Sequence, residues 1–204
     1  MNLITNVAFV PSVELVISKP ALLLLQYPFP KTSPSGYFQV DTYPFSIIVT
    51  PKKKLITITN HEPLFLKKVF SQAFAENDLP ANLNIFMQLL WQITFSYNTY
   101  LSTLQSQCDV LEKQLRVSTE NSQLYQIMDI QKSLVYFKEA TTANLTTLKT
   151  LVKNKTIQEN HALKNHLHDV IIETEQSRTT ARIQLKLVEQ MNQTFSAIVS
   201  NNLN

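Results

Sequence analysis

Residues 81–204 contain neither glycine nor proline; all nine prolines and the single Gly36 precede them. Both residue types interrupt helices, at about 1 and 3 kcal/mol in a helix interior, so this tract is expected to be very long helix. Cysteine is nearly absent. Cys108 alone excludes an intrachain disulfide and a cysteine zinc cluster, and fits a reducing, cytosolic setting. Charged residues make up only 16% of the chain, and the net charge of +3 comes from scattered lysines, so nucleic acid is not an expected partner. The longest apolar runs, around residues 22–25 and 45–49, fall far below the roughly 18–20 residues a membrane span needs. The amino end has no basic region of a signal peptide. A single glycine also rules out a Gly-rich phosphate loop. With no nucleophile elbow or zinc-protease spacing either, catalysis is not expected.

What is present divides the chain in three. At 44% hydrophobic, 204 residues suffice to bury a core in one or two domains. In the head, residues 1–80, residues 7–59 hold short β-type runs broken by turn chemistry: 13–17 and 22–27 are apolar and bounded by prolines. Residues 27–36 (YPFPKTSPSG) read as a loop by their Pro and Ser density. Residues 45–50 and 55–59 read as a hairpin around Pro51-Lys52-Lys53-Lys54, a lysine triplet whose plain reading is a solvated tip. Residues 60–63 open a helix with an early proline, and residues 77–80 restart the chain into the helical tract. Strands with a helix beside them make a small α/β head.

Residues 81–155 read as a long helical hairpin. Leu83, Phe86, Leu90, Ile93, Tyr97, Tyr100, Leu104, Cys108, Leu111 and Leu115 recur at spacings of three and four, a heptad seam. Polar residues 118–122 interrupt it. A second seam follows at Leu124, Ile127, Ile130, Leu134, Phe137, Leu145, Leu148 and Val152, so the two helices should pack antiparallel. Thr156 and Glu159 have capping-box spacing and start a third helix over residues 156–204, roughly 70 Å long. Its seam passes from Leu163, Leu167 and Val170 through Thr174, Ser177, Ala181 and Gln184 to Val188, Met191 and Phe195. The pattern stops in mid-helix, as at an imposed boundary. The fold class is therefore α+β: a small mixed head, long antiparallel helices and a very long C-terminal stalk helix.

Several side chains on the third helix carry chemistry. Asp169 and Glu173 are four apart and share a helix face; a carboxylate pair of this kind can contribute to a magnesium site that keeps several waters, or can be plain surface. His161, His166 and His168 crowd the first turns, where zinc or cobalt is conceivable, without HExxH spacing. Arg178, Arg182 and Lys186 make a basic stripe. Gln193, Ser200 and Asn204 form an uncharged polar face near the end. Cys108 sits on an apolar seam, where packing is its expected role.

Residues 170–204, above all Phe195-Ser-Ala-Ile-Val-Ser-Asn-Asn-Leu-Asn204, resemble the stalk helix of the CorA family of divalent-cation transporters just before its first membrane span. Residues 45–63 (FSIIVTPKKKLITITNHEP) are similar to the last hairpin of that family's cytosolic domain, and residues 83–115 to its first long helix. The resemblance implies the cytosolic sensor and stalk of a magnesium transporter, with Co²⁺ or Zn²⁺ as further candidate ions. It implies a homopentamer in the inner membrane, reached through spans this chain lacks, with Gln193, Ser200 and Asn204 lining the ion path. It also implies a regulatory cation between subunits, held by Asp169 and by an acid in the head. The matching head position falls near Lys31 in residues 27–35, which hold no acid. Two other readings stand beside it: a zinc transporter domain similar to ZntB, and a helical scaffold that binds partner helices and no ion.

Overall fold

The computed structural model describes residues 4–8, 21–50, 54–72 and 81–202. Four strands, β1 (Ile4–Ala8), β2 (Ala21–Thr32), β3 (Phe38–Val49) and β4 (Leu55–Thr59), form one sheet in the order β1-β4-β3-β2, antiparallel throughout. A short helix α1 (Leu64–Gln72) follows, then α2 (Ala81–Leu115), α3 (Asn121–Leu151), the single-turn α4 (Lys155–Glu159) and α5 (His161–Asn202). This is the α+β arrangement expected from the sequence. Residues 13–17, the lysines at 52 and 53, residues 77–80 and Asn204 lie outside the described residues.

The register decides which side of the sheet is core. It sets Leu25, Phe45 and Thr59 abreast, and likewise Leu23, Ile47 and Thr57. Leu25, Phe45 and Ile47 from these rows, with Val49 and Leu55 from the next row on the same side, are buried beneath the helices, while Leu22 and Leu24 on the alternate side are more than half exposed. Period-2 alternation thus points one apolar row inward and leaves the other on the surface. Against the covered face lie α2 and α3, with α5 packed on both of them as an outer layer. α1 packs beside α2, placing Phe65 edge-on to Tyr27.

Residues 27–32 are strand, which corrects the loop expected there. Gln26 aims both its N–H and its C=O away from β3, toward Asn144 of α3. Residues 28 and 30 share that parity, so Pro28 and Pro30 place their missing N–H groups on the open edge of an edge strand and forfeit no ladder bond. The turn is confined to residues 33–37. It is closed by Ser33 N–H to Tyr37 C=O at 2.8 Å and by Gly36 at φ 86°, a conformation that favours glycine.

The helical seams run where the spacing puts them. Every member of the α2 seam is buried except half-buried Tyr100, which packs near Phe38. In the α3 seam, Ile127, Ile130, Leu134, Phe137, Leu145 and Leu148 are buried. Between α2 and α3, Glu120 donates its N–H to the Gln123 side chain at 2.9 Å and starts α3. The start of the third helix differs from expectation. Asn154, not Thr156, is the cap, accepting from Thr156 N–H at 3.0 Å, and the chain breaks at Asn160 before α5 begins. Asn160 then caps α5 through Leu163 N–H at 3.1 Å. Asparagine at both points supplies the side-chain acceptor that orphan N–H groups need. The 42 residues of α5 span about 63 Å at 1.5 Å per residue. Among the described residues, no helix is long and apolar enough to cross a membrane.

Candidate functional site

Burial orients α5 and so places each expected site residue among the described residues; Asn204 lies outside them. Leu163, Leu167, Val170, Thr174, Ser177, Ala181, Gln184, Val188 and Phe195 form the buried side. Polar members of that row bond to α2. Thr94 and Thr174 hydroxyls meet at 3.1 Å, Ser177 Oγ donates to Asn98 Oδ1 at 2.6 Å, and Gln184 donates to the Leu101 carbonyl at 3.2 Å. Neutral partners engage each polar residue of the seam, so it is buried without an orphaned charge, although Gln184 keeps its Oε1 buried without a hydrogen bond.

Asp169 and Glu173 share a side of α5 yet have different surroundings. Asp169 is exposed. Glu173 is half-buried, and its carboxylate accepts from the Asn98 amide at 3.1 Å. Among the described residues, no three His, Cys, Asp or Glu side chains converge as a metal group, and His161, His166 and His168 are all exposed. Gln193 and Ser200 are likewise exposed.

The head contributes an acid that the sequence reading missed. Lys31 lies on β2 and bonds Asp41 of β3, whose other carboxylate oxygen accepts from Gln39 at 2.7 Å. The hydrogen bond from Lys31 to Asp41 holds the lysine's pKa above its usual value. Asp41 is ten residues from Lys31 in sequence, and only the β2–β3 register, which pairs Phe29 with Asp41 and Lys31 with Gln39, brings them together. A strand assignment for residues 27–32 would have found it.

Cys108 is buried on the α2 seam, and burial, with a smaller push from Asp109, raises its thiol from 9.0 to about 11. At pH 8 the thiolate fraction is then about one in a thousand. Alkylation by iodoacetamide at that pH is expected to track global unfolding, which mass spectrometry across a urea series would test. Rapid labelling of the native chain would show that α2 opens at this point.

Comparison with known proteins bears on the family and the fold. The family model described as CorA-like Mg²⁺ transporter protein matches residues 4–204. The soluble domain of CorA from Methanocaldococcus jannaschii superposes with a TM-score of 0.66 at 19% identity, covering 82% of this chain and 67% of that one. The complete CorA magnesium transporter of the same organism gives 0.68 at 19% identity, covering 90% of this chain and 57% of that one. The ZntB cytoplasmic domain from Vibrio parahaemolyticus gives 0.65 at 12% identity, covering 91% of this chain and 74% of that one. At such identities the structural matches establish the fold. No curated protein matches the chain at a significant level.

Proposed function

The chain belongs to the CorA-like Mg²⁺ transporter family, and from that premise we propose that it forms the cytosolic regulatory and stalk part of a divalent-cation transporter. The observation that carries this reading is a family match over residues 4–204, head and stalk together. In it, residues 1–80 are the head, 81–155 the hairpin and 156–204 the stalk. Five copies assemble so that α5 surrounds the ion path on the cytosolic side of the inner membrane, with Gln193, Ser200 and Asn204 facing it. Neutral amides and hydroxyls hydrogen-bond the waters of a hydrated cation without trapping it.

Asp169 supplies the stalk half of a regulatory cation site between subunits. Its exposure supports this, because a carboxylate meant for a neighbouring chain must be unengaged within its own. Glu173 is the weaker ligand, since Asn98 already occupies one of its oxygens. In the head, Lys31 neutralises Asp41, so the cation rests mainly on Asp169. A bound ion shifts the assembly only by its differential affinity for the compact arrangement.

Mg²⁺ is the ion this reading assigns, with Co²⁺ as a second. Zn²⁺ is kept because of the likeness to the ZntB cytoplasmic domain. The test is the thermal midpoint of the chain in about 20 mM MgCl₂, well above a weak site's dissociation constant on the order of 1 mM, then in CoCl₂ and ZnCl₂. The midpoint should rise with the cognate ion, and Asp169→Ala should remove the rise. A rise that survives Asp169→Ala would show the ion binding elsewhere.

A further inference from the structure

We propose that Arg178, Arg182 and Lys186 on α5 form a binding stripe for a polyvalent oxyanion of the phosphate class, whose occupancy sets the charge on the ion-facing side of the stalk. The second clause rests on the placement of Gln193 and Ser200 given above. The first stands without it.

The three cations follow at four-residue intervals, one per turn, over about 12 Å of helix. Lys31, Lys67, Arg116, Lys138, Lys149 and Lys155 sit against carboxylates, whereas Lys113, Lys153 and Lys164 have no ion pair among the described residues but are scattered and not aligned on one helix. Among the described residues, no ion pair engages Arg178, Arg182 or Lys186. The carboxylate nearest Arg178 in sequence, Glu175, is taken by Lys149 at 2.7 Å, and that bond is the main reason its pKa lies below the usual range, with a smaller attraction from Arg178; Glu189, three residues beyond Lys186, forms no ion pair with the stripe among the described residues. Arg178 also buries its Nε–H without any hydrogen-bond partner. That donor is out of reach of solvent, so the contacts to an incoming oxyanion fall mainly to the exposed Arg182 and Lys186. Guanidinium groups bind planar oxyanions through paired N–H bonds. A phosphate chain offers oxygen pairs to successive turns, where a single carboxylate serves only one.

The stripe continues toward the carboxy end on the same side of the helix. Lys186, Gln193 and Ser200 are spaced seven apart, so they stay near one face, with a drift of about 20° per heptad. Arg182 and Lys186 are exposed there, as are Gln193 and Ser200. In a ring of stalks this repeats the positive charge once per copy, directly before a neutral polar stretch. Bare, it opposes a dication by simple Coulomb repulsion. Occupied by a polyanion, it presents negative charge to the same ion.

The test is isothermal titration of the chain with sodium tripolyphosphate in the absence of divalent ions. It compares the unaltered chain, the double variant Arg182→Gln/Lys186→Gln, and the charge-matched control Lys153→Gln/Lys164→Gln, which alters exposed lysines away from the stripe. The expected result is saturable binding, weakened at least about tenfold in the stripe variant, retained in the control, and weaker with added salt. No binding, or equal loss in both variants, would overturn the proposal. So would a stripe variant that changes only the molecular mass, since the stripe would then meet carboxylates of another copy. Because the titration contains no Mg²⁺, a failed ion response leaves this result standing, and a failed anion titration leaves the transporter reading standing.

Discussion

Phe137→Ala is expected to destabilise the chain by about 4 kcal/mol, the upper part of the range for emptying a large buried site. Phe137 is fully buried on α3, with its ring edge-on to Tyr97 of α2 at 5.1 Å between centroids. That contact lies between α2 and α3, both packed against the sheet, so the void opens inside the core cluster. For a domain of this size the loss corresponds to a midpoint lower by about 8–16 °C. Thermal unfolding followed by circular dichroism measures it. A drop of less than about 2 °C would mean that α3 is not held at this point.

Asn144→Ala comes next, at about 3 kcal/mol. The Asn144 side chain accepts from Gln26 N–H and donates to Gln26 C=O, both at 2.8 Å, and Tyr97 adds a hydroxyl to the same carbonyl at 3.0 Å. The amide thereby pairs with the exposed edge of β2 as a neighbouring strand would, clipping α3 to the sheet. Truncation leaves the part-buried N–H of Gln26 without its partner and takes one of the two donors from its C=O, and each such loss costs about 1–3 kcal/mol. Asn144→Asp should be no better than Asn144→Ala, because a carboxylate cannot donate to the carbonyl. Its recovery of stability would show that a single bond suffices.

Tyr97 and Cys108 predict how stability depends on alkaline pH. Burial raises the Tyr97 phenol well above 10.0 and Cys108 to about 11. A group whose folded pKa is raised contributes stability that is full below its unfolded pKa and is lost as pH climbs through the folded one. Stability should therefore fall from pH 9 upward, and Tyr97 should ionise only as the chain unfolds.

What the sequence could disclose follows the physics of each element. The seams of α2 and α3 were legible because no glycine or proline interrupts them and their apolar residues keep helical spacing. The edge strand was not, because Pro28 and Pro30 look like loop residues until the open edge on which they sit is known. Asn144, Ser133 and Asp129 escaped for a related reason. Their partners, the backbone of Gln26, the Val40 N–H and the Ser33 hydroxyl, are 93 to 118 residues away, and no local pattern announces such pairs. At the candidate site, the spacing of Asp169 and Glu173 correctly put them on one side of α5. It could not foresee that Asn98 would engage one and leave the other free. Asp41 likewise waited on the β2–β3 register.

The central claim is that this chain is the ion-responsive cytosolic part of a transporter. Its most direct test is molecular mass by light scattering in about 20 mM Mg²⁺ and again in EDTA, for the unaltered chain and for Asp169→Ala. The account predicts a magnesium-dependent shift toward a pentamer in the first and none in the second. A mass that is the same with and without the ion would contradict it.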